Sequence, residues 1–386
     1  MDIHCGSPKG GLNLIFSTQK MATEALRLFA EIGSQVSVEE TVLPRPECHQ
    51  ILVKTVYSFV SAGTELSVLQ MSENPNFRRP VTREGLGYSL AGIVVETGAD
   101  VTHVKAGDKV ACLGEGAQHS TYVLMARNLV IPLPPGVSLK EGSLIAMLCF
   151  SLEGVHKAHP EFGENALVAG AGMMGHITAQ LLLAMGNHVW MVDRNLRRLD
   201  FAPDPVRTLN GSPESWRKLA EETQPYGVEA AYVCLGGEAT SVFEKIKTVM
   251  SRSPDGIAHG RVVFPGGATV TVSMASPCGN LQLLSSAKAG PGYRDAQYEA
   301  GESYPLTYIP WDVYRNATTM LAAVANKHLD LSSLITHVIP FEKAQSAYNL
   351  LAEPDTGALG ILLSYDPVEV PAPSLNGNGA HAHSYV

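Results

Sequence analysis

Two stretches of this 386-residue chain have residue types and spacing that suit binding chemistry. The first is Gly170-Ala171-Gly172-Met173-Met174-Gly175, a GxGxxG string preceded by the apolar run ALVA and followed by HITAQLLLAMG, then by HVWMV ending at Asp193. Strand, glycine turn, helix and second strand in that order make a dinucleotide-binding βαβ unit. Gly170 would form the tight turn, Gly172 would let backbone approach a diphosphate, and Gly175 would let helix pack on strand. Met173 and Met174 open the helix, whose N-terminus offers unpaired N–H groups and a favourable dipole to phosphate. Leu235 and Gly236, in EAAYVCLGG, are assigned to the same cofactor site. Asp193 lies 18 residues past the last glycine, where a carboxylate accepts from the adenosine ribose hydroxyls. A 2′-phosphate there would meet a like charge, so NAD(H) is favoured over NADP(H). Arg194 tempers that preference, because it can lean over the adenine or pair with a phosphate. The alternative is a tight turn in a sheet that binds nothing.

The second stretch runs from Ala287 to Trp311 and is rich in Gly, Pro and Tyr. Tyr293, Arg294, Tyr298, Tyr304 and Tyr308 offer hydroxyls and one fixed cation, a wall suited to a polyhydroxylated or anionic substrate. Tyr293, Arg294 and Tyr308 are the candidate substrate contacts. The alternative is a surface loop whose tyrosines pack on each other or on a second subunit.

Elements must position these groups. At roughly 150 residues per domain, 386 residues imply two domains, and 45% hydrophobic with 17% charged residues fits a globular chain. The formal charge of −9 comes with no long basic run, which argues against a nucleic-acid partner. No stretch approaches the roughly 18 apolar residues of a membrane helix, and no export signal opens the chain. The expectation is a soluble, cytoplasmic protein without a membrane partner. Six scattered cysteines form no CxxC pair and read as reduced thiols.

Met21, Ala25, Leu28, Phe29 and Ile32 recur at helical spacing, predicting an amphipathic helix over 18–32. From Val36 to Pro135 short apolar runs punctuated by Gly, Pro, Asp and Asn predict a barrel-like β domain. Residues 143–158 read as helix, and the strands ALVA, HVWMVD, EAAYVCLGG and RVVFPGG follow with the rhythm of a parallel α/β sheet. A helix over 316–327, a strand over 335–339, a helix over 342–351 and the strand LGILLSY close the fold. The tail beyond Pro367 has no periodicity and reads as disordered.

This layout resembles the medium-chain dehydrogenase/reductase family, whose members are alcohol dehydrogenase-like. VKTVYSFVSAGTELSVL is similar to that family's first catalytic segment, GLGYSLAGIVVETGADVTHVKAGDKVA to its Gly-His-Glu segment, and ITHVIPFEKAQSAYNLL with GALGILL to its C-terminal signature. The likeness runs from Val36 to Leu363, 328 of 386 residues. It implies an α/β protein with an N-terminal GroES-like β-barrel catalytic domain (1–151 and 312–366) and a Rossmann domain on a doubly wound parallel sheet (152–311), ahead of a tail over 367–386. It also implies a homodimer joined through cofactor-domain strands, for which RVVFPGG and TVTVSM are the candidates.

The sequence departs from the zinc-binding members of that family. Ala62 stands where they have the first cysteine ligand, Tyr88-Ser89 replace His-Glu, and only Cys112 remains of the structural zinc lobe. Cys149 falls near a third ligand position, and one thiolate cannot replace three protein ligands. The resemblance therefore implies a zinc-independent member. The SAGTE string with GPGYR resembles a zinc-free branch associated with sugars and secondary metabolism.

Without a metal, charge at a reacting carbonyl oxygen must be met by hydrogen-bond donors or a general acid. Tyr88 is the first candidate, since a nicotinamide cation would lower a phenol pKa of about 10; the alternative is an aromatic filling the zinc void. Thr64 and Ser67 occupy the family's relay positions, and Ser89 a lost ligand position; for Thr64 the alternative is a hydroxyl satisfying local backbone. Glu65 reads as structural or as a charge tuning Tyr88, His119 as a pocket-wall or packing residue, and His156 and Lys157 as solvated.

Three functional readings follow. The first is an NAD-dependent oxidoreductase for a secondary alcohol or ketone of a sugar, cyclitol or specialised metabolite. Reduction of a polarised C=C bond and a redox-neutral enzyme such as an epimerase with tightly held NAD are the enzyme alternatives. A nucleotide sensor is the non-enzymatic one.

Overall fold

A computed structural model describes residues 22–31, 35–70, 83–274, 278–305, 307–353 and 356–365; the expected tail and Met21 lie outside the described residues. Where the helical spacing predicts a first helix, the chain forms strand β1 (Thr23–Glu31), paired antiparallel along its length with β2 (Gln35–Leu43) and at its end with β4 (Arg83–Gly85). Ala25 packs with Leu43 and Leu52, while Leu28 and Ala30 are buried in a separate cluster. A strand covered on both faces shows apolar residues at helix-like intervals, and strand pairing decides between the two.

Strand β3 (Gln50–Val60) is the hub of the N-terminal sheet, pairing with β5 (Ser89–Thr97), β7 (Tyr122–Ala126) and β18 (Gly360–Ser364). Strands β6 (Lys109–Leu113) and β8 (Val130–Pro132) extend it beyond β5, and β17 (Ile335–Pro340) flanks β18. Two register shifts between β3 and β5 bend the sheet. A Cβ at Gly92 would lie 2.2 Å from the Lys54 carbonyl oxygen, so only glycine permits this approach of β5 to β3. Helix α1 (Ala62–Gln70) leaves the end of β3, and helix α10 (Ala344–Ala352) precedes β18, so residues 335–365 return to the N-terminal sheet.

The second sheet is wholly parallel, in the order β11 (Arg207–Leu209), β10 (His188–Val192), β9 (Asn165–Ala169), β12 (Ala230–Val233), β14 (His259–Phe264), β16 (Asn280–Ser285). Every residue of β9 and β12 is buried, as strands covered on both faces by helices must be. The architecture is therefore a GroES-like β domain joined to a Rossmann sheet. Helix α3 (Ile145–Ala158) is buried along ten of its residues and shares one core with Val110 of the first sheet and Val263 of the second.

One edge expectation needs correction. RVVFPGG contains β14, which lies between β12 and β16, and 270–274 forms no strand. The edge strands of the sheet are β11 and β16. Among the described residues no helix is long and apolar enough to cross a membrane.

Candidate active site

The glycine turn lies at the C-terminal end of β9, where open parallel sheets bind ligands. Gly170 takes φ +109°, and a Cβ at Gly175 would sit 1.9 Å from the Gly170 carbonyl oxygen, so the third glycine is required for α4 (Met173–Ala184) to pack on the strand. At Gly172 a Cβ would meet nothing within 4 Å, leaving open space before the helix. The first helical bond runs from His176 N–H to the Gly172 carbonyl, so the N–H groups of Met173, Met174 and Gly175 have no partner within the helix. This end of α4 fits a diphosphate.

Asp193 terminates the adjacent strand β10 and is held there: Oδ2 accepts from Ala171 N–H at 2.7 Å and Oδ1 from Asn195 N–H at 2.8 Å. Each oxygen keeps a second lone pair, so ribose hydroxyls can still donate to it. Arg194 is exposed beside it. Leu235 approaches Gly170 from the end of β12, and Gly236 is exposed next to it.

The second cluster forms where α1 leaves β3. Tyr88 O–H donates to Ser61 Oγ at 2.5 Å, and the Thr64 hydroxyl lies near enough to the phenol to lower its pKa. Burial drives the Tyr88 pKa well up, the two hydroxyl contacts lower it, and Glu65 and Tyr293 raise it further. In the free protein Tyr88 is thus a protonated donor, a shift opposite to the one a cofactor cation would impose. Its ring meets Phe150 edge-on at 5.9 Å, and Phe150 meets Tyr293 edge-on at 5.5 Å. Tyr293 is buried, its pKa pushed up to about 12 chiefly by burial.

Behind Tyr88 lies a buried polar network. Glu65, 2% exposed, accepts from Ser61 N–H at 2.8 Å, from Tyr348 O–H at 2.6 Å and from His119 Nε2 at 3.1 Å. His119 Nδ1 pairs with Ser58 Oγ at 2.7 Å, and Ser58 pairs with Tyr365 O–H at 2.9 Å. Burial and the neighbouring Glu65 charge drive the Tyr348 pKa far up, which keeps its hydroxyl a donor.

Several candidates from the sequence fall elsewhere. Ser67 is exposed and donates to the carbonyls of Gly63 and Thr64, satisfying its own helix rather than a relay. Ser89 is fully buried, donates to the Ser143 carbonyl at 2.7 Å and accepts from Ala146 N–H at 3.1 Å. Its side chain points opposite to that of Tyr88, as neighbours at a strand start do, and it serves the first turn of α3. Tyr308 is 85% exposed, and Arg294 pairs with Glu115 at 3.1 Å. Tyr298 stacks on Tyr304 at 5.1 Å and donates to Asp312, so much of the Tyr-rich segment packs on itself. It lines a cavity of about 430 Å³ together with Lys157 and Lys288. His156 is half-buried against Trp311 at 4.6 Å, and Lys157 pairs with Glu153; neither is simply solvated.

Sequence reasoning missed Ser61, Phe150, Tyr348 and Tyr365. Ser61 carried a local signal, since a serine just before a helix with an acid four residues on can exchange bonds with it: Glu65 N–H donates back to the Ser61 carbonyl at 2.9 Å. The other three carried none.

The donors here do not fit a zinc ion. Ala62 has no ligand atom, Cys149 is a buried thiol whose pKa burial drives up, and among the described residues no three His, Cys, Asp or Glu side chains gather closely enough to hold a metal.

Residues 47–159 match the alcohol dehydrogenase GroES-like domain family. Sorbitol dehydrogenase of Homo sapiens is 25% identical over 378 residues, covering 89% of this chain and 96% of that enzyme. In structure, an Escherichia coli oxidoreductase/dehydrogenase of unknown specificity matches with a TM-score of 0.72 at 14% identity, over 89% of this chain and all of that one. The 2R,3R-butanediol dehydrogenase of Bacillus subtilis matches with a TM-score of 0.70 at 17% identity, over 88% and 99%. Residues 47–159 thus carry an alcohol dehydrogenase GroES-like domain, and along most of its length the chain is similar in sequence to sorbitol dehydrogenase and in fold to oxidoreductases.

Proposed function

We propose that the protein is a zinc-independent oxidoreductase that uses NAD(H) in preference to NADP(H) and interconverts a secondary alcohol and a ketone on a polyhydroxylated small molecule. The observation that carries this reading is the pairing of the Tyr88 hydroxyl with Ser61 beside Thr64, Ala62 and Tyr88 being the positions where the family resemblance implies metal ligands in zinc-binding members. When bound, the nicotinamide supplies or accepts the hydride. Gly170 to Gly175 and the N-terminus of α4 would hold its diphosphate, and Asp193 its adenosine ribose.

In the reductive direction the Tyr88 O–H turns from Ser61 Oγ to the substrate oxygen, and the Ser61 O–H donates to the phenol oxygen in its place, supplying the charge stabilisation that a metal gives elsewhere. Ser61, 5% exposed, holds the phenol in place, and the exposed Thr64 hydroxyl offers a path for the proton to and from water. Tyr293 and Phe150 wall the site from one side. The polyol substrate class is supported by the sorbitol dehydrogenase and butanediol dehydrogenase likenesses.

Denaturing the purified protein, identifying released nucleotide by mass spectrometry and titrating the native protein with NADH tests this reading. Reversible NADH binding with no retained nucleotide is the expected result. NAD retained at about one per chain would favour the redox-neutral alternative instead, and no binding of either nucleotide would overturn the reading. The five described cysteines are free thiols, in keeping with the cytoplasm as its compartment. A homodimer across the open edge of β16 is the assembly we infer, and light scattering at a single-chain mass would contradict it.

A further inference from the structure

We infer that Glu65 is a positioning residue for the reaction, acting through Ser61 to set the Tyr88 hydroxyl; this rests on the reading of Tyr88 as proton donor.

The geometry runs in one direction. Glu65 Oε1 accepts from the Ser61 backbone N–H at 2.8 Å, and the Ser61 hydroxyl accepts from Tyr88 at 2.5 Å. Ser61 sits at the junction of β3 and α1, where the chain turns from strand to helix and a serine side chain has several ways to point. Two bonds between Ser61 and Glu65, from Ser61 N–H to the carboxylate and from Glu65 N–H to the Ser61 carbonyl, fix the backbone from which that side chain departs, and the bond from Tyr88 selects its direction. Glu65 in turn is fixed from two other elements. Tyr348 reaches it from α10, 283 residues away in sequence, and His119 reaches it from the segment before β7. His119 is itself braced by Ser58 and Tyr365. Every hydroxyl and ring nitrogen in this buried cluster has a partner. A fully satisfied buried network holds one arrangement, because each broken bond leaves a polar group without water.

A carboxylate that served only to knit α1 to α10 would need the Tyr348 contact alone. The Ser61 N–H contact on the other oxygen places the same group one residue side chain from the donor. Glu65 does not touch the phenol: its charge acts on Tyr88 across space, and its hydrogen-bonded contact with the donor passes through Ser61.

The test compares E65Q with Y348F. Both disturb the buried network, but Y348F leaves the Glu65 carboxylate on the Ser61 N–H and held by His119, whereas E65Q removes its charge and puts an amide NH2 where one of its oxygens accepts. We predict that E65Q lowers kcat by about tenfold or more, as misplacing a general acid does, while KM for NADH stays within about threefold. Y348F should lose comparable thermal stability and keep kcat within about threefold. A readout without turnover separates this inference from the oxidoreductase reading. In protein labelled with 13C at the tyrosine Cζ, the Tyr88 resonance, assigned by its absence in Y88F, should move in E65Q and not in Y348F.

A Tyr88 resonance and kcat unchanged in folded E65Q would overturn the inference. So would a Y348F variant that loses as much activity as E65Q, which would make the network merely structural. If E65Q does not fold, S61A decides: it leaves Glu65 in place and must move the Tyr88 resonance, and an unmoved resonance overturns the proposal. NADH binding with no turnover of any alcohol or ketone, alongside the predicted shift in resonance, would count against the proposed reaction and leave the Glu65–Ser61–Tyr88 coupling standing.

Discussion

The two turns that matter in this molecule are built on opposite principles. The Gly170–Gly175 turn is a backbone device: its function depends on residues that lack side chains, at spacings fixed by the turn itself, with Asp193 arriving by way of the neighbouring parallel strand. The Ser61–Ser67 turn is a side-chain device, and its contacts come from β5, α3, the segment before β7 and α10. The first admits no side chain at Gly170 or Gly175 and needs no distant partner. The second depends on residues up to 283 positions away. A backbone device is written locally, whereas a side-chain device is written across the whole fold.

Breaking each turn should therefore look different. The largest effect is expected from G175A. Its methyl group would lie 1.9 Å from the Gly170 carbonyl oxygen, so α4 must move off the sheet. Loss of NADH binding together with loss of cooperative unfolding, read by fluorescence titration and circular dichroism, is the expected outcome. Next is Y88F, which keeps the ring against Phe150 and removes only the donor. A fall in kcat of about 100-fold or more, the usual scale for removing a general acid, should come with unchanged NADH affinity.

The neighbouring serine sharpens the contrast. S89A leaves the Ala146 N–H without its buried acceptor and should cost about 1–3 kcal/mol in denaturant unfolding, with kcat within about twofold. Wild-type stability with a collapsed kcat would reverse the assignments of Tyr88 and Ser89. The smallest effect belongs to S67A, an exposed hydroxyl bonded to its own helix, where both kcat and stability should stay within about 0.5 kcal/mol of wild type.

That contrast also explains what was legible in the sequence. The glycine string, its flanking strands and Asp193 could be read because each requirement is local and periodic. The pairing of Tyr88 with the turn after β3 was visible as two motifs, but the acceptor, Ser61, was not, since strand-to-helix junctions allow many serine rotamers. Ser89 was misassigned because alternation along β5 sends adjacent side chains to opposite faces, and only the sheet determines which face meets the site. The first strand has a helix-like spacing of apolar residues because they serve two clusters at once. Tyr348 and Tyr365 carry no signal, since their role arises only when β17 and β18 return to β3.

The most direct test of the central claim is turnover by chelator-treated enzyme. The protein would be dialysed against dipicolinate, checked for zinc by plasma emission and assayed with NADH and a panel of polyhydroxy ketones, alongside Y88F. The account predicts full turnover by the metal-free wild type and about 100-fold slower turnover by Y88F. Activity that vanishes with the metal, returns with added zinc and is indifferent to Y88F would contradict it.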